Sequence, residues 1–323
     1  MLGLPAVACR NGNAAMACTS KILGWKPRSL LRLLAVLATS MAAPQLADAG
    51  AGKQKGVKAT KMSIACDIQV QAGGSYLAEA LATAASGARL CLLPGQHAGG
   101  MVLGRSVTLV GLEGADKTFI HAAAHSSALR VDDDGLAIRL QGLTLAGGAA
   151  DAGGGLAVHG RGKVAIVDCK FTNNRAGLIG GGGLYARAGL LTVERTDFAQ
   201  NRGRQGGAIF LDSVVHAELT RCNFVGNDAD FGGGLRATEA VVVELKICKF
   251  RQNHAGGQAN ALHVSGSKSR APQVVLDHCA VEDGSVINGP EIPGAIVLKS
   301  SQVPVSWRSV SGVAEHNIAP GHP

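Results

Sequence analysis

The chain has 323 residues, a formal net charge of +8 and only 3% aromatic residues. The charge sits at the start: residues 1–49 hold five Lys/Arg and one Asp, and Lys53, Lys55, Lys58 and Lys61 follow, which leaves 22 basic and 22 acidic residues from Met62 onward. A neutral body lacks the basic footprint of a nucleic-acid-binding protein, and that class is excluded.

Residues 1–49 read as a targeting segment. Lys21, Lys26, Arg28 and Arg32 form a basic stretch, Leu33 to Ala38 begin an apolar core, and Ala47-Asp48-Ala49 is a small-x-small cleavage site. The apolar run is too short to span a bilayer, so the segment reads as a cleaved export signal and the product as not membrane-spanning. Met16 offers a second start. Residues 50–61 form a Gly/Lys linker. Residues 62–323 then form one domain, expected to be a monomer that is secreted, periplasmic or displayed at the cell surface.

Cys66 and Cys91 lie close enough in the chain to bridge in an oxidising compartment, or to remain thiols. Ser75 to Ala85 predicts a short amphipathic helix, with Ser75 as N-cap, Leu77, Leu81 and Ala84 on one face and Gly87 as the stop. Its expected role is to cap an open end of the fold. Ala88 to Gly95 and Val107 to Val110 predict strands. His121 and His125 are four apart, which suits zinc only on a helix, and the segment reads as a turn. Asp132-Asp133-Asp134-Gly135 reads as an Asp-Gly turn rather than a calcium loop. No metal or cofactor is expected.

From residue 138 one pattern returns. Val164, Ile166, Cys169, Phe171 and Asn174 are followed in phase by Leu191, Val193, Thr196, Phe198 and Asn201, by Ala217, Leu219, Cys222, Phe224 and Asn227, and by Val243, Leu245, Cys248, Phe250 and Asn253. Val274, Leu276, Cys279, Val281 and Gly284 close the series, and Ile138, Leu140, Leu143, Leu145 and Gly148 form a degenerate copy upstream. Counted from Ile138, first positions are 26, 27, 26, 26 and 31 residues apart. Such a period marks a repeat architecture in which each copy buries its apolar face by stacking on its neighbours.

A second element repeats in phase: Leu129/Val131, Leu156/Val158, Leu184/Ala186, Ile209/Leu211, Leu235/Ala237, Leu262/Val264 and Ile296/Leu298, usually preceded by glycines. Each repeat therefore holds short strands with no room for a crossover helix, so equivalent strands pair in parallel, coil over coil. The fold class is all-β, a right-handed parallel β-helix with a short N-terminal capping helix and about 4.8 Å of rise per coil. The phenylalanines stack inside. The cysteine position is a buried small-residue site with free thiols. The asparagine column forms an amide ladder at a turn, where Asn tolerates unusual backbone angles.

Phe171-Thr172-Asn173-Asn174, Phe198-Ala199-Gln200-Asn201, Phe224-Val225-Gly226-Asn227 and Phe250-Arg251-Gln252-Asn253 match an F-x-x-N repeat, and Gly206-Gly207-Ala208-Ile209 matches a G-G-A-I repeat. Over roughly residues 100 to 300 the chain resembles the repeats of chlamydial polymorphic outer-membrane proteins and related pectin-lyase-like β-helix proteins. The resemblance implies a ligand groove along an outward strand face. Those membrane proteins end in an autotransporter barrel; Pro323 follows the last coil closely here, so no barrel is expected.

Residues flanking the repeated pairs point outward, because side chains alternate across a strand. They place Tyr185 and Phe210 beside Arg130, Asp132, His159, Arg187, Asp212, Arg236 and His263. In a chain so poor in aromatics, two on adjacent coils suggest a solvent-facing strip for sugar rings and carboxylates, in which Tyr185 and Phe210 need no packing role. The expected partner is a polysaccharide or cell-surface glycan. An enzyme alternative, a uronate lyase or epimerase, takes His159 as base and Arg187 as the cation for the carboxylate. A hydrolase is disfavoured, since Asp132 and Asp212 are three coils, about 14 Å, apart. A third alternative is a structural surface protein or adhesin.

Overall fold

The computed structural model describes residues 65–316, except 215, 240, 267–271, 283–286, 289–295 and 304–312. The expected targeting segment (1–49), the whole expected linker (50–61) and Gly284 of the last repeat lie outside the described residues.

Among the described residues every strand pairing is parallel and joins equivalent positions of successive coils. An eleven-stranded first wall runs from Ile68–Val70 to Val313–His316. An eight-stranded second wall runs from Gly95–Ala98 to Ala280–Val281, and an eight-stranded third wall from Met101–Val102 to Ile287–Asn288. The register is in phase with the repeat: Val164 pairs with Leu191, Phe171 with Phe198 and Leu184 with Ile209. This is the right-handed parallel β-helix that the period implies. Among the described residues no helix is long and apolar enough to cross a membrane.

The interior is built from columns. Phe171, Phe198, Phe224 and Phe250 are fully buried and stacked, with ring centroids 4.9, 5.3 and 4.4 Å apart. Cys169, Cys222, Cys248 and Cys279 are buried free thiols, as expected. Burial pushes the Cys169 thiol up to about 12, because a thiolate there would lose its hydration. Asn174, Asn201, Asn227 and Asn253 form the amide ladder: each of the first three donates from Nδ2 to the Oδ1 of the next, at 3.0, 3.0 and 2.9 Å.

The ladder's backbone differs from expectation. The residues with left-handed φ are those just before it, Asn173, Gln200, Gly226 and Gln252, at φ 53°, 55°, 61° and 52°. The ladder asparagines themselves point inward, where their side chains are needed for hydrogen bonds. A second left-handed column, Gly142, Asp168, Arg195, Arg221, Ile247 and His278, precedes the cysteine column and turns the chain from the first wall to the second. All but Gly142 are residues other than glycine, and those carry the strain of that region because the stacked coils over-determine the corner.

The helix forms over Tyr76–Thr83 and buries Leu77 and Ala80 with Ala84 at the open end of the solenoid. The Ser75 hydroxyl does not cap the backbone; it donates to the Glu79 carboxylate. Cys66 and Cys91 are joined in a disulfide with Cα atoms 5.8 Å apart, which ties the entry to the first wall onto its second strand.

One element is absent from the sequence reading. Between the second and third walls each middle coil makes an excursion: Ala149–Ala152, Arg175–Gly180, Arg202–Gln205, Asp228–Phe231 and His254–Gln258 pair into a five-stranded outer sheet. Its exposed face carries ion pairs such as Arg202 Nε to Asp228 Oδ2 at 3.1 Å, which add little stability in solvent. Its other face covers the third wall.

Candidate functional site

The third wall sets the expected site residues in register. Arg130, Ala157, Tyr185, Phe210, Arg236 and His263 occupy one column across successive coils. The glycines before them are needed for close approach: a Cβ on Gly155 would meet Gly183 O and the Phe171 ring at 2.6 Å. Asp132, His159, Arg187 and Asp212 lie beside this column at the strand ends.

The expectation of a solvent-facing aromatic strip is corrected. Tyr185 and Phe210 do point away from the solenoid interior, but they are only 3% and 5% exposed. With Ala152 of the outer sheet they form a second apolar cluster, separate from the main core. Their rings meet at 5.7 Å. Alternation along one strand gives the direction of a side chain; it does not reveal a second layer lying over it. The two aromatics therefore have a packing role and seat the outer sheet.

Further along the column, the Arg236 guanidinium lies 5.8 Å from the Phe210 ring centroid and 5.1 Å from that of Phe231 on the outer sheet. His263, 7% exposed, packs its ring against Phe231 at 5.8 Å. Burial, and then the charge of Arg236, lower the His263 pKa to about 4. In the unfolded chain a histidine titrates near 6.5. A depressed folded-state value means that stability is fully present above about pH 6.5 and is lost as pH falls towards 4. Equilibrium unfolding followed from pH 7 to 4 is expected to show this loss, and His263→Gln to flatten it; equal pH slopes in both proteins would remove His263 from the account.

The residues that remain accessible are at the rim. Arg130 Nη2 pairs with Asp132 Oδ2 at 2.9 Å. The Tyr185 hydroxyl donates to Asp212 Oδ2 at 3.1 Å, and Arg187 Nε lies 3.7 Å from the same oxygen. Burial and the adjacent Asp212 charge raise the Tyr185 pKa, so its hydroxyl stays protonated. The His159 ring sits 5.2 Å from that of Tyr185. Burial lowers the His159 pKa, with Asp132 opposing and Arg130 and Arg187 assisting, which keeps the imidazole neutral at pH 7. Arg130, Asp132, His159, Arg187 and Asp212 are thus brought together; Arg236 and His263 are set apart beneath the outer sheet.

Where the outer sheet begins, it overhangs a cleft of about 350 Å³. Arg130, Ala157 and His159 line the cleft together with Val102, which pairs with Arg130 on the third wall, and with residues 125–127, 150–152 and Ile179 on the outer-sheet side. Ile179, Asp151 and Ser126 were not among the expected site residues. Ile179 lies in one of the short segments that recur between an F-x-x-N and the following glycines, whereas Asp151 and Ser126 precede the first F-x-x-N and carry no such signal. His121 ends the strand Thr118–His121 and His125 sits in the following turn at φ 55°.

A single chain wound into stacked parallel coils, with an internal asparagine ladder and a groove on one outer face, defines a β-helix protein. The family described as "Right handed beta helix region" matches residues 116–285, just over half of the chain. The chain belongs to that family. It is 27% identical over 135 residues to the metabotropic glutamate receptor-like protein R of Dictyostelium discoideum, a match covering 42% of this chain and 8% of that protein. Among solved structures it is similar to the PL6 family alginate lyase AlyGC, at 16% identity and a TM-score of 0.48, covering 78% of this chain and 39% of that one. It is also similar to an alginate lyase from Paenibacillus sp. str. FPU-7, at 14% identity and 0.45, covering 78% and 99%. A third similarity is to a pectin methylesterase bound to a hexasaccharide, at 13% and 0.46, covering 76% and 95%. The chain spans under a tenth of the curated relative and about two fifths of AlyGC. Likenesses of this size carry nothing about substrate.

Proposed function

We propose that this chain is an exported β-helix protein that binds extracellular or envelope polysaccharide along the outer face of its third wall. The observation that carries the reading is the cleft at Arg130 and His159, continued by Arg187 and Asp212 on the next coils. Planar polar groups in a partly enclosed groove suit the hydroxyl-rich edge of a sugar chain. Tyr185, Phe210, Arg236 and His263 support the groove from beneath the outer sheet. Export is supported by the basic, apolar and small-residue order of Lys21 to Ala49 and by the Cys66–Cys91 bridge.

A neutral His159 is also what a proton-abstracting base requires, which favours a lyase or epimerase as the second reading. Its weakness is Arg187, whose charge already faces Asp212. A glycan array separates the possibilities. The intact protein is expected to bind, and the double substitution His159→Ala with Arg187→Ala to lose the signal while changing stability by about 1 kcal/mol or less. Equal signals from both proteins would place the site elsewhere. Absorbance from unsaturated products would mark the lyase, and array silence with cell adherence the adhesin.

A further inference from the structure

We propose that the cleft beside Arg130 and His159 receives a neutral sugar unit carrying a small acyl group, rather than a uronate. The inference rests on the polysaccharide reading and names its ligand class.

Charge is the first argument. A uronate carboxylate needs an uncompensated cation. Arg130 is already paired with Asp132 at 2.9 Å, and Arg187 faces Asp212. Asp151 adds a carboxylate to the cleft wall. An incoming carboxylate would meet three acidic groups, Asp132, Asp151 and Asp212, against two guanidinium groups, and would have to be desolvated to do so. The floor is thus rich in hydrogen-bonding groups but has no net positive charge to offer. The Arg130 fork has more donors than Asp132 uses, and a carbonyl oxygen is the uncharged acceptor that fits them.

The apolar wall is the second. Val102, next to Arg130 in the third-wall column, is 46% exposed, and Ile179 on the outer sheet, three coils further along, is 39% exposed; both line this cleft. Met101 and Ala157 continue the surface. Exposed branched aliphatics that line a concavity mark a place where an apolar group is received. A bare sugar ring stacks best on an aromatic face. The aromatics of this wall, Tyr185 and Phe210, are covered by the outer sheet. Aliphatic walls suit a methyl group instead. An acyl substituent supplies both features: its carbonyl oxygen accepts from Arg130 and its methyl group packs against Val102, the neighbour of Arg130 in the column.

The test uses an array of matched pairs: xylan and mannan, each in O-acetylated form and after alkaline deacetylation, with polygalacturonate and alginate as the charged set. The full-length protein is expected to bind an acetylated member at least about tenfold more tightly than its deacetylated partner, about 1.4 kcal/mol. Raising the salt concentration should leave that binding unchanged, since exposed-charge attraction is what salt screens. Val102→Ser, at an exposed position, should abolish the preference and leave the thermal melt unmoved. Equal binding within each pair, or binding confined to the charged set and weakened by salt, would overturn this inference and leave the polysaccharide reading standing. Silence on every spot would overturn both.

Discussion

Phe224→Ala is expected to destabilise the protein by about 3–5 kcal/mol, because a buried aromatic leaves a cavity that its neighbours fill only in part. The geometry places it at the high end of that range. Phe224 is fully buried, with the rings of Phe198 and Phe250 nearly parallel to it at 5.3 and 4.4 Å. Collapse would need the coils to shift, but their spacing is fixed by parallel backbone ladders in three walls, including the pairs of Phe224 itself with Phe198 and Phe250. The glycines opposite are equally constrained: a Cβ on Gly234 would stand 2.9 Å from the Phe250 ring. The void therefore persists, and both flanking rings lose contact on one face. Denaturant unfolding of the two proteins measures the difference directly. An unmoved midpoint would mean that the ring column does not hold neighbouring coils together.

Much of this architecture was legible in the sequence because it depends on residues that repeat. Phe171 to Phe250 and Asn174 to Asn253 recur at one period, and parallel stacking then follows from the shortness of the strands. The outer sheet was not legible. Its strands, such as Arg202–Gln205 and Asp228–Phe231, are polar and short, and Gly203 and Ala229 offer little apolar alternation to read. Their order comes from pairing coil to coil rather than from a buried face of their own. That omission carried into the site. Tyr185 and Phe210 were correctly pointed outward, yet outward meant buried, because Ala152 and Phe231 lie over their column. The grouping of the charged rim follows from the register alone. Arg130, Asp132, His159, Arg187 and Asp212 come together since residue 159 stands opposite 132 wherever Val158 pairs with Val131. The cleft itself needs Ile179 and Asp151 from the outer sheet, and no one-dimensional pattern brings those to residue 130.

Asn227→Ala is expected to cost several kcal/mol although it deletes only a small polar side chain. Asn227 Oδ1 accepts from the backbone N–H of Asn201 at 3.0 Å and from Asn201 Nδ2 at 3.0 Å, while its own Nδ2 donates to Phe198 O at 2.9 Å. All of these groups are buried, and the alanine would orphan the Asn201 N–H and remove one partner each from Asn201 Nδ2, the Phe198 carbonyl and Asn253 Oδ1. Each unsatisfied buried group costs about 1–3 kcal/mol. The ladder is also a chain, since Asn227 Nδ2 donates to Asn253 Oδ1 as well, and linked bonds polarise one another in a low-dielectric interior. Asn227→Leu separates the causes. It keeps the volume and removes the bonds, so it should be about as damaging as the alanine if hydrogen bonding dominates, and close to neutral if the site merely needs filling. Equilibrium unfolding gives the size of the loss, and hydrogen exchange at the Asn201 amide gives its location, because that proton is protected only while Asn227 Oδ1 accepts it. Unchanged protection at Asn201 in Asn227→Ala would show that backbone pairing alone holds the turn, and that the asparagine column serves something other than stability.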